Sequence, residues 1–233
     1  GVLEALRAGS RQIQKIYFAK EAHGELLPDI RRLAGARQVP VVVVPKIQMD
    51  QLSRRRPHQG VAAEVAPFAY ASLETILSRP GPLLVLDGIT DPQNLGAILR
   101  SAAAFGVAGV ILPEDKSAPV TAAAVRDSAG AAAHVPTARV DNLVRAIEAA
   151  KAAGRRIVGS APDGTDVRQA DLSPPVCLVI GSEAEGIRRM VRKACDAVVR
   201  IPQAGRIGSL NASVAAGILL YEVVRGAGGS RPD

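Results

Sequence analysis

Three stretches of the chain combine glycine with carboxylate, amide, hydroxyl and guanidinium groups. The first is Ile201-Pro-Gln-Ala-Gly-Arg-Ile-Gly-Ser-Leu-Asn211, a loop that runs into the almost uncharged segment Val214–Val224. Ser209 and Asn211 fall where a helix should begin. A helix start offers unpaired N–H groups and a partial positive charge, so it suits a polar or anionic ligand. The second stretch, Leu178-Val-Ile-Gly-Ser-Glu-Ala-Glu-Gly-Ile187, ends an apolar run in a glycine turn carrying Glu183 and Glu185. Those two carboxylates suit either a ligand site or the capping of a helix at Gly186. The third, Asp87-Gly-Ile-Thr-Asp-Pro-Gln-Asn-Leu-Gly-Ala-Ile-Leu-Arg100, sets Asn94 and Arg100 on either side of a small-residue turn. Gly96 there permits close backbone approach. Arg100 is the lone charge in a segment otherwise apolar from Leu95 to Phe105, a setting in which an arginine usually has a specific partner.

The elements that must carry these groups alternate. After residue 82, strands are expected at Leu83–Leu86, Gly109–Leu112, His134–Val135, Ile157–Gly159, Val176–Ile180 and Val198–Ile201. Helices fall between them at Leu95–Phe105, Val120–Ala129, Asn142–Ala153 and Ile187–Cys195, with a last one from about Val214 to Val224. All-apolar strands in repeated βα units predict a parallel sheet covered on both faces. Ligands of such sheets lie beyond the carboxyl ends of the strands, where the glycine turns fall. The last helix is apolar nearly all round, which predicts burial in a core or a subunit interface.

The first third is a smaller α/β unit: helix Val2–Ala8 closed by Gly9, strand Ile13–Phe18 and helix Leu26–Leu33 ended by Gly35. A buried strand is expected at Val39–Val44 and another strand at Val61–Val65. The organisation expected is residues 1–70, a linker at 71–80, a main domain at 81–226 and a disordered tail at 227–233.

The chain holds 29 basic and 22 acidic residues, a net charge of +7. Residues 1–70 carry 11 Lys/Arg against 6 Asp/Glu, and residues 71–233 carry 18 against 16. The surplus lies in the first part and favours a polyanionic partner there. The segment Arg54-Arg55-Arg56-Pro57-His58-Gln59 concentrates it, with Arg11 and Lys15 as weaker contributors. A solvated basic loop is the competing reading.

Other chemistries find no support. There is no G-x-G-x-x-G after the first strand and no G-x-x-x-x-G-K-[ST], against a dinucleotide or nucleoside triphosphate. The three histidines are scattered, so no metal site is expected. Cys177 and Cys195 match no redox or metal spacing and are expected to pack as small hydrophobes, which speaks against a covalent cysteine adduct. No run suits a membrane span or signal peptide, and the expected location is the cytoplasm.

The motifs N-L-G-A-I-L-R at 94–100, V-I-G-S-E-A-E-G at 179–186 and I-P-x-A-G-x-x-x-S-L-N-A-S-V-A-A-G-I at 201–218, in this order, resemble the SpoU (TrmH-type) branch of the SPOUT RNA methyltransferases. Val-Leu-Glu-Ala-Leu-Arg at 2–7 and His58-Gln-Gly60 resemble the substrate-binding domain of its ribosomal-RNA members. The resemblance implies an α/β protein. Its C-terminal SPOUT domain would have a parallel sheet and a deep trefoil knot, and its small N-terminal RNA-binding domain would be of the L30e/L7Ae ribosomal-protein type. It also implies a homodimer, S-adenosylmethionine as methyl donor, and 2'-O-ribose methylation of a guanosine in 23S ribosomal RNA. The alternatives are a tRNA 2'-O-ribose methyltransferase of the same family and a non-catalytic RNA-binding scaffold. Carried over by position, Asn94, Arg100, Glu183, Ser209 and Asn211 match the catalytic set, and Gly181, Ile201 and Leu210 match the cofactor site. Arg54, Arg55, Arg56, His58 and Gln59 are the expected RNA contacts. The relatives usually have Met after Ile-Pro where this chain has Gln203.

Overall fold

The computed structural model describes residues 2–8, 13–53, 58–205 and 208–226. Arg11, Arg54, Arg55, Arg56 and the tail 227–233, all named above, lie outside the described residues. Two compact units divide at Phe68 and Ala69.

In the first unit a central strand β1 (Ile13–Ala19) pairs in parallel with β2 (Val41–Val44) and antiparallel with β3 (Val61–Val65). Alternation along β1 sends Ile16 and Phe18 into a core with Leu3 and Leu6 of α1 (Val2–Ala8) and Ile30 and Ala34 of α2 (Leu27–Ala36). Gly35 does not end α2: the helix runs one residue past it, and the turn falls at Gln38, whose φ is +56°. On the other side Met49 of α3 (Lys46–Leu52) packs against Ala19 and Val44. The four-valine strand is not buried. It lies at the sheet edge, where Val41, Val42 and Val43 are 38, 36 and 53% exposed and Val44 alone is covered. A β-branched run suits a pleated surface whether or not a second layer covers it.

The second unit opens with α4 (Leu73–Leu77), capped by Ser72, whose hydroxyl accepts from the Thr75 N–H. This helix stands where the linker was expected, and its Ile76 is fully buried against Gly109. The sheet then contains β4 (Leu83–Asp87), β5 (Gly109–Pro113), β6 (Thr137–Val140), β7 (Arg156–Asp166), β8 (Val176–Gly181) and β9 (Ala197–Arg200). They lie in the order β6-β5-β4-β8-β7-β9, every pairing parallel. Every residue of β4 and β5 is buried, as two-sided cover requires. One face packs Leu83, Val85, Ile111 and Val179 against α4, α7 (Leu143–Ala152) and α8 (Arg189–Lys193). On α5 (Pro92–Ala104), Leu95, Ile98 and Leu99 are fully buried, each stabilising the fold by about 1.5–3 kcal/mol. Gly96 lets α5 touch α6 (Ala122–Asp127), since a Cβ there would lie 2.6 Å from the Ala124 carbonyl oxygen. The strand expected at His134–Val135 begins at Thr137, after a turn. The last helix, α9 (Ala212–Gly226), packs on α5 and β8, burying Leu219, Leu220 and Val223 while Val214 and Tyr221 stay exposed.

The chain leaves β4 toward β5 and β6, then crosses to the opposite side for β7. The sheet's switch point therefore lies between β4 and β8, whose last residues Asp87 and Gly181 are register partners. That is where a parallel α/β sheet places its ligand.

Candidate active site

Beyond β8 the chain makes a tight turn. Ser182 and Gly186 exchange backbone hydrogen bonds, the Ser182 hydroxyl accepts from the Glu185 N–H, and Gly186 has φ +65°. Gly181 has no room for a side chain, because a Cβ would lie 2.1 Å from the Gly186 carbonyl carbon. The exit of this turn is bolted to β4. Asp87, only 1% exposed, accepts the Arg188 N–H at 2.8 Å and the Arg188 Nε at 2.6 Å on its two oxygens. The sequence reading missed this pair, although an acid ending an apolar strand was the visible signal for it.

The turn holds Glu183 at the centre of a network. Asp91 caps α5 through the Gln93 N–H and Pro92 occupies its first position, so Asn94 lies in the first helical turn rather than beside a loop. Its Nδ2 donates to Glu183 Oε1 at 3.1 Å. Asn211 caps α9, its Oδ1 accepting from the Ser213 and Val214 N–H groups. Asn211 Nδ2 reaches Asn94 Oδ1 at 2.9 Å and Glu183 Oε1 at 2.5 Å, and the Ala212 N–H adds a third donor to that oxygen at 3.1 Å. One carboxylate oxygen thus joins all three glycine-bearing stretches. Glu183 does cap a helix, but the helix is α9 rather than the one that follows Gly186.

A cavity of about 300 Å³ lies beside this network. Gly181, Glu183, Ile201, Ser209 and Leu210 line it, together with Gln203 and the segment 160–162 of β7. Asn94 and Asn211 stand behind Glu183 rather than in the lining. Arg100 is exposed on α5, without an ion pair or hydrogen bond among the described residues. Six residues after Asn94, it projects about 120° away around the helix, so it and Asn94 serve different surfaces. The partner expected for Arg100 is not supplied by Glu183. Burial pushes the Cys177 thiol up to about 12 and the Cys195 thiol up to about 11, which keeps both protonated and unreactive at neutral pH.

In the first unit the His58 ring is fully engaged. Its Nδ1 accepts the Gly60 N–H at 3.0 Å while Nε2 faces Asp50 Oδ1 at 2.9 Å. These two contacts make His58 an anchor of its turn. Gln59 beside it is exposed, and Lys15 lies 5.9 Å over the Tyr17 ring.

The SpoU rRNA methylase family model matches residues 81–221. The chain belongs to the SpoU methylase family. A second model, for substrate binding by RNA 2'-O-ribose methyltransferases, matches residues 1–71. An uncharacterized tRNA/rRNA methyltransferase of Mycolicibacterium vanbaalenii is 46% identical, aligned over 96% of this chain and 74% of its own. The SpoU methyltransferase AviRb of Streptomyces viridochromogenes, solved with S-adenosylmethionine, superposes with a TM-score of 0.81 at 31% identity, covering 97% of this chain and 88% of that one. A Sinorhizobium meliloti rRNA methyltransferase, also bound to S-adenosylmethionine, gives 0.76 at 30% identity over 96% and 84%.

This SpoU protein is accordingly an RNA methyltransferase that uses S-adenosylmethionine. The cavity fits that cofactor on its own chemistry. The charged side chains among its described lining residues are Glu183 and Glu185, both acidic, and the cofactor is a sulfonium cation. The lining glycines, Gly181, Gly186 and Gly208, leave backbone groups open to an adenosine. No helix among the described residues is long and apolar enough to cross a membrane.

Proposed function

We propose that the protein methylates the ribose 2'-hydroxyl of a guanosine in 23S ribosomal RNA, acting in the cytoplasm as a homodimer. Residues 1–70 capture the RNA and residues 81–226 carry the chemistry. The reading includes a trefoil knot in the C-terminal domain and an L30e-type fold for the N-terminal one, as the sequence resemblance implies. The observation that carries the catalytic part is the convergence of Asn94, Asn211 and the Ala212 N–H on one oxygen of Glu183, at the edge of an acidic-lined cavity. The substrate-binding match over residues 1–71 and the basic surplus of that segment support the RNA part.

S-adenosylmethionine supplies an electrophilic methyl group when bound. Gly181, Ile201 and Leu210 would hold it through the turns after β8 and β9, with Ser209 at the cavity wall. The protein's own work is to place the 2'-oxygen in line with that methyl and to let its proton leave. Holding two reactants in line can supply about 7–11 kcal/mol of the barrier. A guanidinium has no lone pair with which to accept a proton, so the base role does not fall to Arg100. Exposed and free of ion pairs among the described residues, its guanidinium suits a clamp on the RNA phosphate that also stabilises developing alkoxide charge. Glu183 acts through Asn94 and Asn211, keeping α5 and α9 in register around the cavity. Arg54, Arg55, Arg56 and Gln59 would contact phosphates and unpaired bases, while His58 anchors the turn through Gly60.

The test is methyl transfer from labelled S-adenosylmethionine to 23S ribosomal RNA and to bulk tRNA, both from cells lacking the enzyme, followed by digestion to nucleosides. Label in 2'-O-methylguanosine from 23S RNA is the expected result. Label confined to tRNA overturns the substrate assignment in favour of the tRNA enzyme, and no label in either overturns naked 23S RNA as the substrate in favour of an assembling particle or an RNA-binding scaffold.

A further inference from the structure

The second unit carries little net charge, yet it gathers cations in one place. Residues 187–200 contain Arg188, Arg189, Arg192, Lys193 and Arg200 against a single acid, Asp196. The ion pairs divide the four cations on and beside α8 into two groups. Arg188 is held by buried Asp87, and Arg192 by Asp163 through two bonds of 2.9 Å. Asp196 is taken by Lys151 at 3.0 Å. Arg189 and Lys193 are exposed and have no ion pair among the described residues. Four apart on α8, they project from one side of it, and Met190 next to Arg189 is 61% exposed. The helix face is thus two uncompensated cations with an apolar side chain beside them.

Its position gives that face a use. Arg188 immediately precedes α8, and its pairing with Asp87 ties the helix start to the end of β4. Val191 anchors the other side of α8 in the core. Gly186, two residues before Arg188, lines the cofactor cavity. The helix is therefore held firmly at both its start and its inner side, and it begins three residues after a residue that lines the cavity. We propose that α8 is a second RNA-contact surface, on which Arg189 and Lys193 each neutralise one backbone phosphate and the Met190 side chain packs against a sugar or base. This surface belongs to the catalytic unit. It does not depend on which RNA is methylated.

The test compares wild type with Arg189→Glu/Lys193→Glu and Arg189→Gln/Lys193→Gln, using full-length protein and transcribed 23S ribosomal RNA. Arg79→Glu, on the turn after α4, controls for net charge. For single strands each phosphate contact adds about 0.7 to the slope of log K against log salt. Both double variants should lose about 1.4 from that slope and bind RNA roughly tenfold more weakly at 0.15 M salt. S-adenosylmethionine affinity and Tm should stay at wild-type values. An unchanged salt slope overturns the proposal. So does an equal loss in Arg79→Glu, which would show a general charge effect, or a parallel loss of cofactor affinity, which would make α8 a support of the cavity.

Discussion

Replacing Glu183 separates a positioning carboxylate from a proton acceptor. In the structure its Oε1 accepts from Asn94 Nδ2, Asn211 Nδ2 and the Ala212 N–H at 3.1, 2.5 and 3.1 Å. Glu183→Ala removes all three contacts and leaves the α9 start short of one cap, although Asn211 still serves the Ser213 N–H. The group is solvent-accessible, so water partly replaces what is lost, and the cost should be about 2 kcal/mol rather than the sum of three buried bonds. For a domain of this size that lowers Tm by about 4–8 °C. Loss of register between α5 and α9 should cost turnover more heavily, about 100-fold, the scale expected for misplacing reactive groups by an ångström. Glu183→Gln keeps an oxygen able to accept from the same three donors and should retain turnover within about tenfold of wild type. The assay is single-turnover methyl transfer, with cofactor affinity and Tm measured in parallel. If Glu183→Gln is folded, binds cofactor normally and is as inactive as Glu183→Ala, the positioning role is wrong and the carboxylate takes the proton itself. Wild-type turnover in Glu183→Ala would refute both roles.

Three further outcomes are expected. Gly181→Ala forces a Cβ into the Gly186 backbone, so cofactor affinity should fall more than tenfold by calorimetry while the circular dichroism of the sheet persists. Asp87→Asn removes the charge that holds Arg188; because Arg188 is half-exposed and can turn to water, the loss should be about 2 kcal/mol, below the range for fully buried pairs, and urea unfolding would read it. Asp166 is held down to about 2 by the Arg168 guanidinium and N–H, below the ordinary carboxylate value near 4. A depressed carboxylate contributes stability that is complete above about pH 4 and is lost as pH falls through 2, so Tm should drop across that window and Asp166→Asn should flatten the drop.

Which parts of this architecture could be read beforehand follows from the range of the interactions involved. The strands of the second unit were legible because two-sided burial writes itself as continuous apolar runs, as in Leu83–Leu86 and Val176–Ile180. The three polar stretches were legible because each packs its chemistry into about a dozen residues. The same apolar logic misled at Val39–Val44, since a β-branched run does not say whether a second layer covers it. Helix α3 went unread: it is seven residues long, begins after Pro45 and buries only Met49, too little for a periodic signal. The start of α5 was misplaced although Asp91 and Pro92 spelled out a cap and a first position. The Asp87–Arg188 pair spans 101 positions, and the Glu183 network spans 89 and 117, distances over which no local pattern operates.

That same separation determines when the site comes into being during folding. The network of Glu183 cannot close until β4 has found β8 across most of the second unit's length and α9 has packed on α5. Parallel pairings between such distant segments pay their loop entropy first and form slowly. The cavity is consequently complete only once both packings have formed, and a chain lacking either offers the cofactor no finished site. S-adenosylmethionine then stabilises only the finished protein, by RT ln(1 + [L]/Kd), and does nothing to hasten its formation. Cofactor supply governs how long each molecule lasts, while the yield of new molecules is left to the chain alone.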